Sequence, residues 1–177
     1  PYLETYGLYK KDDPLYWALL GRAYYERGDD YDSVTAALEQ ALALDDELAV
    51  AYQIRGLAAL DAGDGKQALN DLYLARNLDP QSFSISLGFG LAFWAEERYD
   101  EASAQMRASA DLAKSDVDLG KAYYYVAKLA TEIGPVSRAK QYWNYLLDLP
   151  EGAVPEAWLL EAELYFNPLT ATATPTA

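Results

Sequence analysis

The chain contains no cysteine and no histidine. It therefore offers no thiolate nucleophile, no imidazole base, no disulfide and no zinc site of the usual ligands. Carboxylate, amine, hydroxyl and phenol groups remain. Two acidic clusters stand out: Asp29, Asp30 and Asp32, then Asp45, Asp46 and Glu47. Neither follows the alternating order around a central glycine that a calcium loop uses. Both sit beside turns, where a short carboxylate accepts from the free N–H groups of a helix start. Capping is the expected role, and no metal site is assigned. Acid/base work by paired carboxylates needs an enclosed pocket that raises one pKa, yet the candidates here lie in turns or on polar faces. No Gly-rich phosphate loop follows a strand, and no strand is expected. The chain reads as non-enzymatic, with no catalytic residue and no cofactor.

Charge narrows the partners. Fourteen basic against 28 acidic side chains give a formal charge of −14. No basic face for phosphates is visible, so nucleic acid is not an expected partner. No apolar run approaches the ~18 to 20 residues that cross a bilayer, so direct membrane insertion is not expected either. A hydrophobic content of 51% is ample for a packed core.

The elements that must carry any site follow from an internal repeat. Residues 49–82 read as one helix-turn-helix unit: a helix over 49–62, a Gly63-Asp64-Gly65 turn, a helix over 66–78, and an Asp79-Pro80 stop. A shift of about 34 residues lays the sequence over itself. Gly56, Ala68 and Ala75 repeat Gly21, Val34 and Ala41. Two helices joined by so short a turn lie antiparallel and close, and small residues belong where they cross. Tyr52, Leu72 and Leu78 are expected to fill the space around that crossing. One pair cannot bury both apolar faces, so the pairs must stack.

Trp17, Leu20, Gly21 and Tyr24 reproduce the first-helix motif of the tetratricopeptide repeat (TPR) without a gap. Ala41 and Asp46 stand where the later Ala and Pro of that motif fall, and the second unit keeps Tyr52, Gly56, Ala68, Ala75 and Pro80. From about residue 14 to 166 the chain resembles the TPR family. The resemblance implies an all-α, right-handed α-solenoid of antiparallel helix pairs with a C-terminal capping helix.

The expected organisation is an arm or the end of a preceding helix over 1–13, then a TPR domain over 14–166. Its repeats fall at about 14–48, 49–82, 83–116 and 120–153, with a capping helix at 155–166. Residues 114–119 read as an extra connector before the fourth repeat, and Glu156, Glu161 and Glu163 as the cap's polar outer side. Residues 167–177, Thr/Pro-rich, read as a disordered linker of the kind seen in exported bacterial proteins. This tail leans the compartment toward the cell envelope or exterior, and suggests a piece of a larger protein.

In such a superhelix the first helix of each pair lines the concave wall. The face turned away from the core positions carries Ala18, Arg22 and Tyr25 in the first unit, then Gln53, Leu57 and Leu60 in the second. Leu87, Leu91 and Trp94 follow in the third unit, Tyr124, Lys128 and Thr131 in the fourth, and Leu159, Glu163 and Phe166 on the last helix. Leu57, Leu60, Leu87, Leu91 and Trp94 would form an apolar floor, which a solvated face should not have unless something covers it. The expected ligand-binding groove is Arg22, Tyr25, Gln53, Leu57, Leu60, Leu87, Leu91, Trp94, Tyr124 and Lys128. It would take a protein or peptide partner through apolar anchors, with Arg22 and Lys128 orienting backbone or acidic groups. The alternative is a structural spacer or a homodimerisation surface. Some TPR proteins clamp a chaperone's free carboxylate with Lys and Asn on these faces; Ala18, Arg22, Gln53 and Leu57 depart from that pattern, and the function is not carried over.

Overall fold

In the computed structural model, which describes residues 11–168, short polar side chains cap five of the nine described helices, whereas the helix after Asp45, Asp46 and Glu47 has Leu48 at its N-cap and no side-chain cap, contrary to the capping expected of that cluster. Nine helices run through the described residues: α1 (Pro14–Arg27), α2 (Tyr31–Leu44), α3 (Ala49–Asp61), α4 (Gly65–Leu78), α5 (Phe83–Ala95), α6 (Tyr99–Leu112), α7 (Asp116–Ile133), α8 (Val136–Leu147) and α9 (Glu156–Phe166). Asp13 accepts from the Leu15 N–H at 3.0 Å, ahead of Pro14, which needs no donor. Asp30 caps α2 through the Ser33 N–H and Asp64 caps α4 through the Gln67 N–H, both at 2.9 Å. Ser115 does the same for α7 through Asp118. Gly28, at φ 79°, closes α1 in the left-handed conformation that glycine tolerates best. Residues 1–10 of the expected arm and 169–177 of the expected linker lie outside the described residues.

Successive helices pair as hairpins, α1 with α2, α3 with α4, α5 with α6 and α7 with α8, and α9 lies on α8. The approach within each pair is set by small residues. A Cβ on Gly21 would meet Leu38 Cδ2 at 2.6 Å, and one on Gly56 would meet the Ala68 carbonyl oxygen at 3.1 Å. Gly90 stands against Met106 and Ala102 in the same way. Helices α1, α3, α5 and α7 also touch one another in series, whereas the second helices form no comparable series. The first helices therefore make the inner wall, and the stack is a right-handed all-α solenoid.

The core lies along the stack in three main clusters. Val34, Leu38 and Ala41 anchor the first pair, Leu72, Phe89 and Met106 the middle, and Ala139, Trp143 and Leu146 the last. Ser86, where the repeat calls for a large residue, is buried and donates to the Gln105 carbonyl. Leu78 is not part of this core; it lies at the end of α4 and is 40% exposed. The connector expected at 114–119 is mostly helix, since α7 starts at Asp116. Its 18 residues exceed the 13 of α5, and the surplus falls at the C-terminal end. In α9, Glu161 does not face outward. It turns back to accept from Tyr124 and Lys128 of α7.

One buried ion pair ties α3 to α4. Arg55 reaches Asp71 through Nε at 2.9 Å and Nη2 at 2.6 Å, and Gln67 donates a third bond at 3.2 Å. Asp71 is 1% exposed, so its charge depends on these donors. Arg55→Met should destabilise the chain by about 3 kcal/mol, because a buried carboxylate would lose its main partner. The double variant Arg55→Met/Asp71→Leu should recover most of that loss; urea unfolding of both, alongside the parent chain, checks the expectation.

Candidate functional site

A cleft of about 570 Å³ opens on the inner wall. Its lining comes only from the first helices and from α9, and the reason is spacing. Residues four apart share a helix face, and here the pairs Arg22 and Glu26, Gln53 and Leu57, Leu87 and Leu91, and Lys121 and Tyr125 line the cleft from α1, α3, α5 and α7. Tyr25, Phe83 and Trp158 complete the aromatic part of the wall, and Ser84 and Gly88 the rest of α5's contribution.

Six of the ten expected groove residues meet in this cleft: Arg22, Tyr25, Gln53, Leu57, Leu87 and Leu91. Leu60 and Trp94 do not; they lie one turn further along their helices, half-buried against the central core cluster. Ala18, on the same expected face, is 2% exposed and belongs to the first core cluster. Tyr124 and Lys128 also stay outside. The Tyr124 hydroxyl donates to Glu161 Oε2 at 3.0 Å, and Lys128 Nζ donates to Oε1 at 2.7 Å. The Tyr124 ring stacks on Trp158, 4.1 Å between centroids and 8° between planes. These two residues therefore brace α9 against α7 and hold Trp158 at the cleft's edge.

The lining also includes Glu26, Ile54, Phe83, Ser84 and Gly88 on helices already expected to line the wall, and Lys121, Tyr125 and Trp158, which the expected groove replaces with other positions or omits. Lys121 and Tyr125 stand 34 residues beyond Leu87 and Leu91, so the unbroken repeat step points straight to them. The extra turn of α7 hid this. Its C-terminal half, with Ala127 and Ala130 against Ala139 and Trp143, keeps the core register displaced from that step, and aligning on those alanines rotates the inferred groove face to Tyr124 and Lys128.

The electrostatics of the wall are uneven. Burial, then the hydrogen bond to and charge of Asp61, raises the Tyr25 hydroxyl well above the ordinary phenol value. Burial and the same carboxylate raise Tyr125. Both rings thus stay neutral at physiological pH and serve as apolar surface with a polar edge. Arg22 and Lys121 make no salt bridge with any described residue, whereas Arg55 and Lys128 are each paired within the chain. Two cations, Arg22 and Lys121, and one carboxylate, Glu26, therefore line the cleft of a chain whose formal charge is −14.

No family model matches this chain. It is 26% identical over 146 residues to ypp1 of Schizosaccharomyces pombe, whose description proposes a cargo-transport role. That likeness covers 80% of this chain and 17% of ypp1, so the chain spans about a sixth of that relative's length. Among solved structures, TTC0263 of Thermus thermophilus, described as a thermophilic TPR protein, superposes with a TM-score of 0.79 at 16% identity, covering 93% of this chain and 87% of that one. MamA from Desulfovibrio magneticus RS-1 gives a TM-score of 0.69 at 20% identity over 84% of this chain and 81% of that one. The chain has the TPR fold.

The brace between α7 and α9 has a titration signature. Burial, then the hydrogen bond to and charge of Glu161, pushes Tyr124 up to about 12. A phenol of raised pKa favours the fold fully below its unfolded value of about 10 and loses that contribution as pH climbs through the folded value. Alkaline unfolding should therefore set in between those two values. Glu161→Gln should bring the Tyr124 phenolate absorbance to lower pH, with Tyr124→Phe identifying the signal that moves.

Proposed function

We propose that this TPR-type superhelix is a non-catalytic binding module that takes a protein partner's peptide or helix in the concave cleft. The observation that carries the reading is the row Leu57, Leu87 and Leu91. These apolar side chains on two successive inner helices line one open cleft: Leu57 and Leu91 are half-buried at its surface, and Leu87, 6% exposed, belongs to the central core cluster and forms its floor. The apolar area that Leu57 and Leu91 still expose is costly to leave in water, because such area gains about 25 cal/mol for each Å² removed from it. A partner that laid apolar anchors on it would recover that free energy.

The chemistry of the rim supports the same reading. Gln53 and Ser84 offer polar edges for a partner's backbone, and Arg22 and Lys121 offer charges not engaged within the described chain. The orienting cations are thus Arg22 and Lys121, since Lys128 is held by Glu161. The proposed cargo-transport role of ypp1 agrees with a segment that holds another protein, and the fold shared with TTC0263 and MamA suits a scaffold. No described helix is long and apolar enough to cross a membrane.

The test is selection from a displayed library of random peptides on the immobilised chain. The parent should enrich a convergent set of sequences. The double variant Leu57→Asp/Leu91→Asp should enrich none while keeping its helical circular dichroism, since both side chains face the cleft. Equal recovery by the two would contradict the proposal. A dimer in light scattering that the same variant dissolves would assign the cleft to self-association instead.

A further inference from the structure

At the turn edge of the first two hairpins, where α1 and α3 end beside each other, a separate cavity of about 280 Å³ opens. Val34 and Ala58 are buried in its lining, the phenols of Tyr25 and Tyr31 stand over them, and Asp29 and Asp61 bring carboxylates. The cavity shares Tyr25 with the main cleft but none of that cleft's leucines or cations. Gly28 closes α1 and Asp61 is the last residue of α3, so two helix C-termini, each carrying partial negative charge, meet here.

The charges around the cavity leave that end unbalanced. Helix α3 has no basic residue in its last turn. Arg27, in the last turn of α1, is held by Asp29 through Nε at 2.8 Å. The start of α2 lies here too, and Asp30 already caps it through the Ser33 N–H. Around Tyr31 stand Asp71, Asp64 and Glu39 against one cation, Arg55, which Asp71 holds. Asp61 accepts from the Tyr25 hydroxyl and has no ion pair with a described residue. A carboxylate at a helix C-terminus, beside two phenols and without a cation, is a place for a positive group.

We infer that this cavity receives an arginine side chain presented by a basic segment of another protein. The guanidinium meets the Tyr25 and Tyr31 rings and donates to Asp61, while its alkyl stem covers Val34 and Ala58. Charge complementarity argues for the occupant, since the chain carries a formal charge of −14 and both guanidiniums beside the cavity are engaged. Shape argues for arginine over lysine: a guanidinium is planar, weakly hydrated and stacks on aromatic rings, and its paired N–H groups match a carboxylate. The volume lies just under the ~300 Å³ at which pockets for larger ligands begin, so it suits one long side chain.

Titration of the chain with a blocked Gly-Arg-Gly peptide, followed by amide chemical shifts, tests this beside the lysine and citrulline counterparts. The arginine peptide should shift the amides of Gly28, Tyr31, Asp61 and Ala62. The lysine peptide should bind there more weakly, and the uncharged citrulline peptide should leave those amides in place. Asp61→Asn, at an exposed position where the amide oxygen can still accept from Tyr25, should weaken the arginine peptide about tenfold. Leu57→Asp/Leu91→Asp should not, because neither leucine lines this cavity. Equal binding of the arginine and lysine peptides, unchanged binding by Asp61→Asn, or no shift at those amides would overturn the inference and leave the reading of the main cleft standing. Tetramethylammonium binding more tightly than the arginine peptide would also overturn it, by assigning the cavity to a small quaternary ammonium ligand.

Discussion

The rest of this structure depends on how closely two helices can approach within a pair. Gly21 against Leu38, Gly56 against the Ala68 backbone and Gly90 against Met106 leave no room for a larger side chain. That approach fixes each hairpin as a rigid unit with one apolar face on either side. Because neither face can be buried alone, each unit must find the next. The first helices touch in series and the second helices do not, so the stack curves toward the first helices. Curvature, and with it a concave wall, follows from the crossing residues.

On that wall the repeat has a second consequence. A step of 34 residues carries a helix face onto the equivalent face of the next first helix, so Gln53, Leu87 and Lys121 align, as do Leu57, Leu91 and Tyr125. The cleft is therefore graded along its length, from Gln53 and Leu57 through two leucines to a cation and a phenol. Its charged lining is Arg22, Glu26 and Lys121, whereas Arg55 pairs with Asp71 and Lys128 with Glu161 away from the cleft. Those internal pairs brace α3 to α4 and α7 to α9, the elements on either side of the cleft.

Much of the fold is legible in the amino-acid order alone. Pro14, Asp30 and Asp64 mark helix starts because capping is local chemistry, and Gly28 marks an end for the same reason. The apolar row Leu57, Leu87 and Leu91 is legible too, since period alone places it. Features that depend on long-range placement are not. Leu60 and Trp94 share the face of the row and, like Leu87 and Leu91, meet the core, but one turn further along they lie outside the cleft. Helical period favours Tyr124 and Lys128 over Lys121 and Tyr125 because the surplus turn of α7 falls after the groove register and not before it. Asp71 and Glu161 look like solvent-facing acids, and only their partners on other helices reveal them as ties.

The central claim is that the inner wall, and not the outer one, is the surface that meets a partner. Amide chemical-shift mapping of the chain, titrated with a peptide that it selects, tests this most directly. Shifts should concentrate at Arg22, Gln53, Leu57, Leu87, Leu91 and Lys121, with the amides of α2, α4 and α6 left in place. Shifts gathered on those second helices, with the inner-wall amides unmoved, would contradict it.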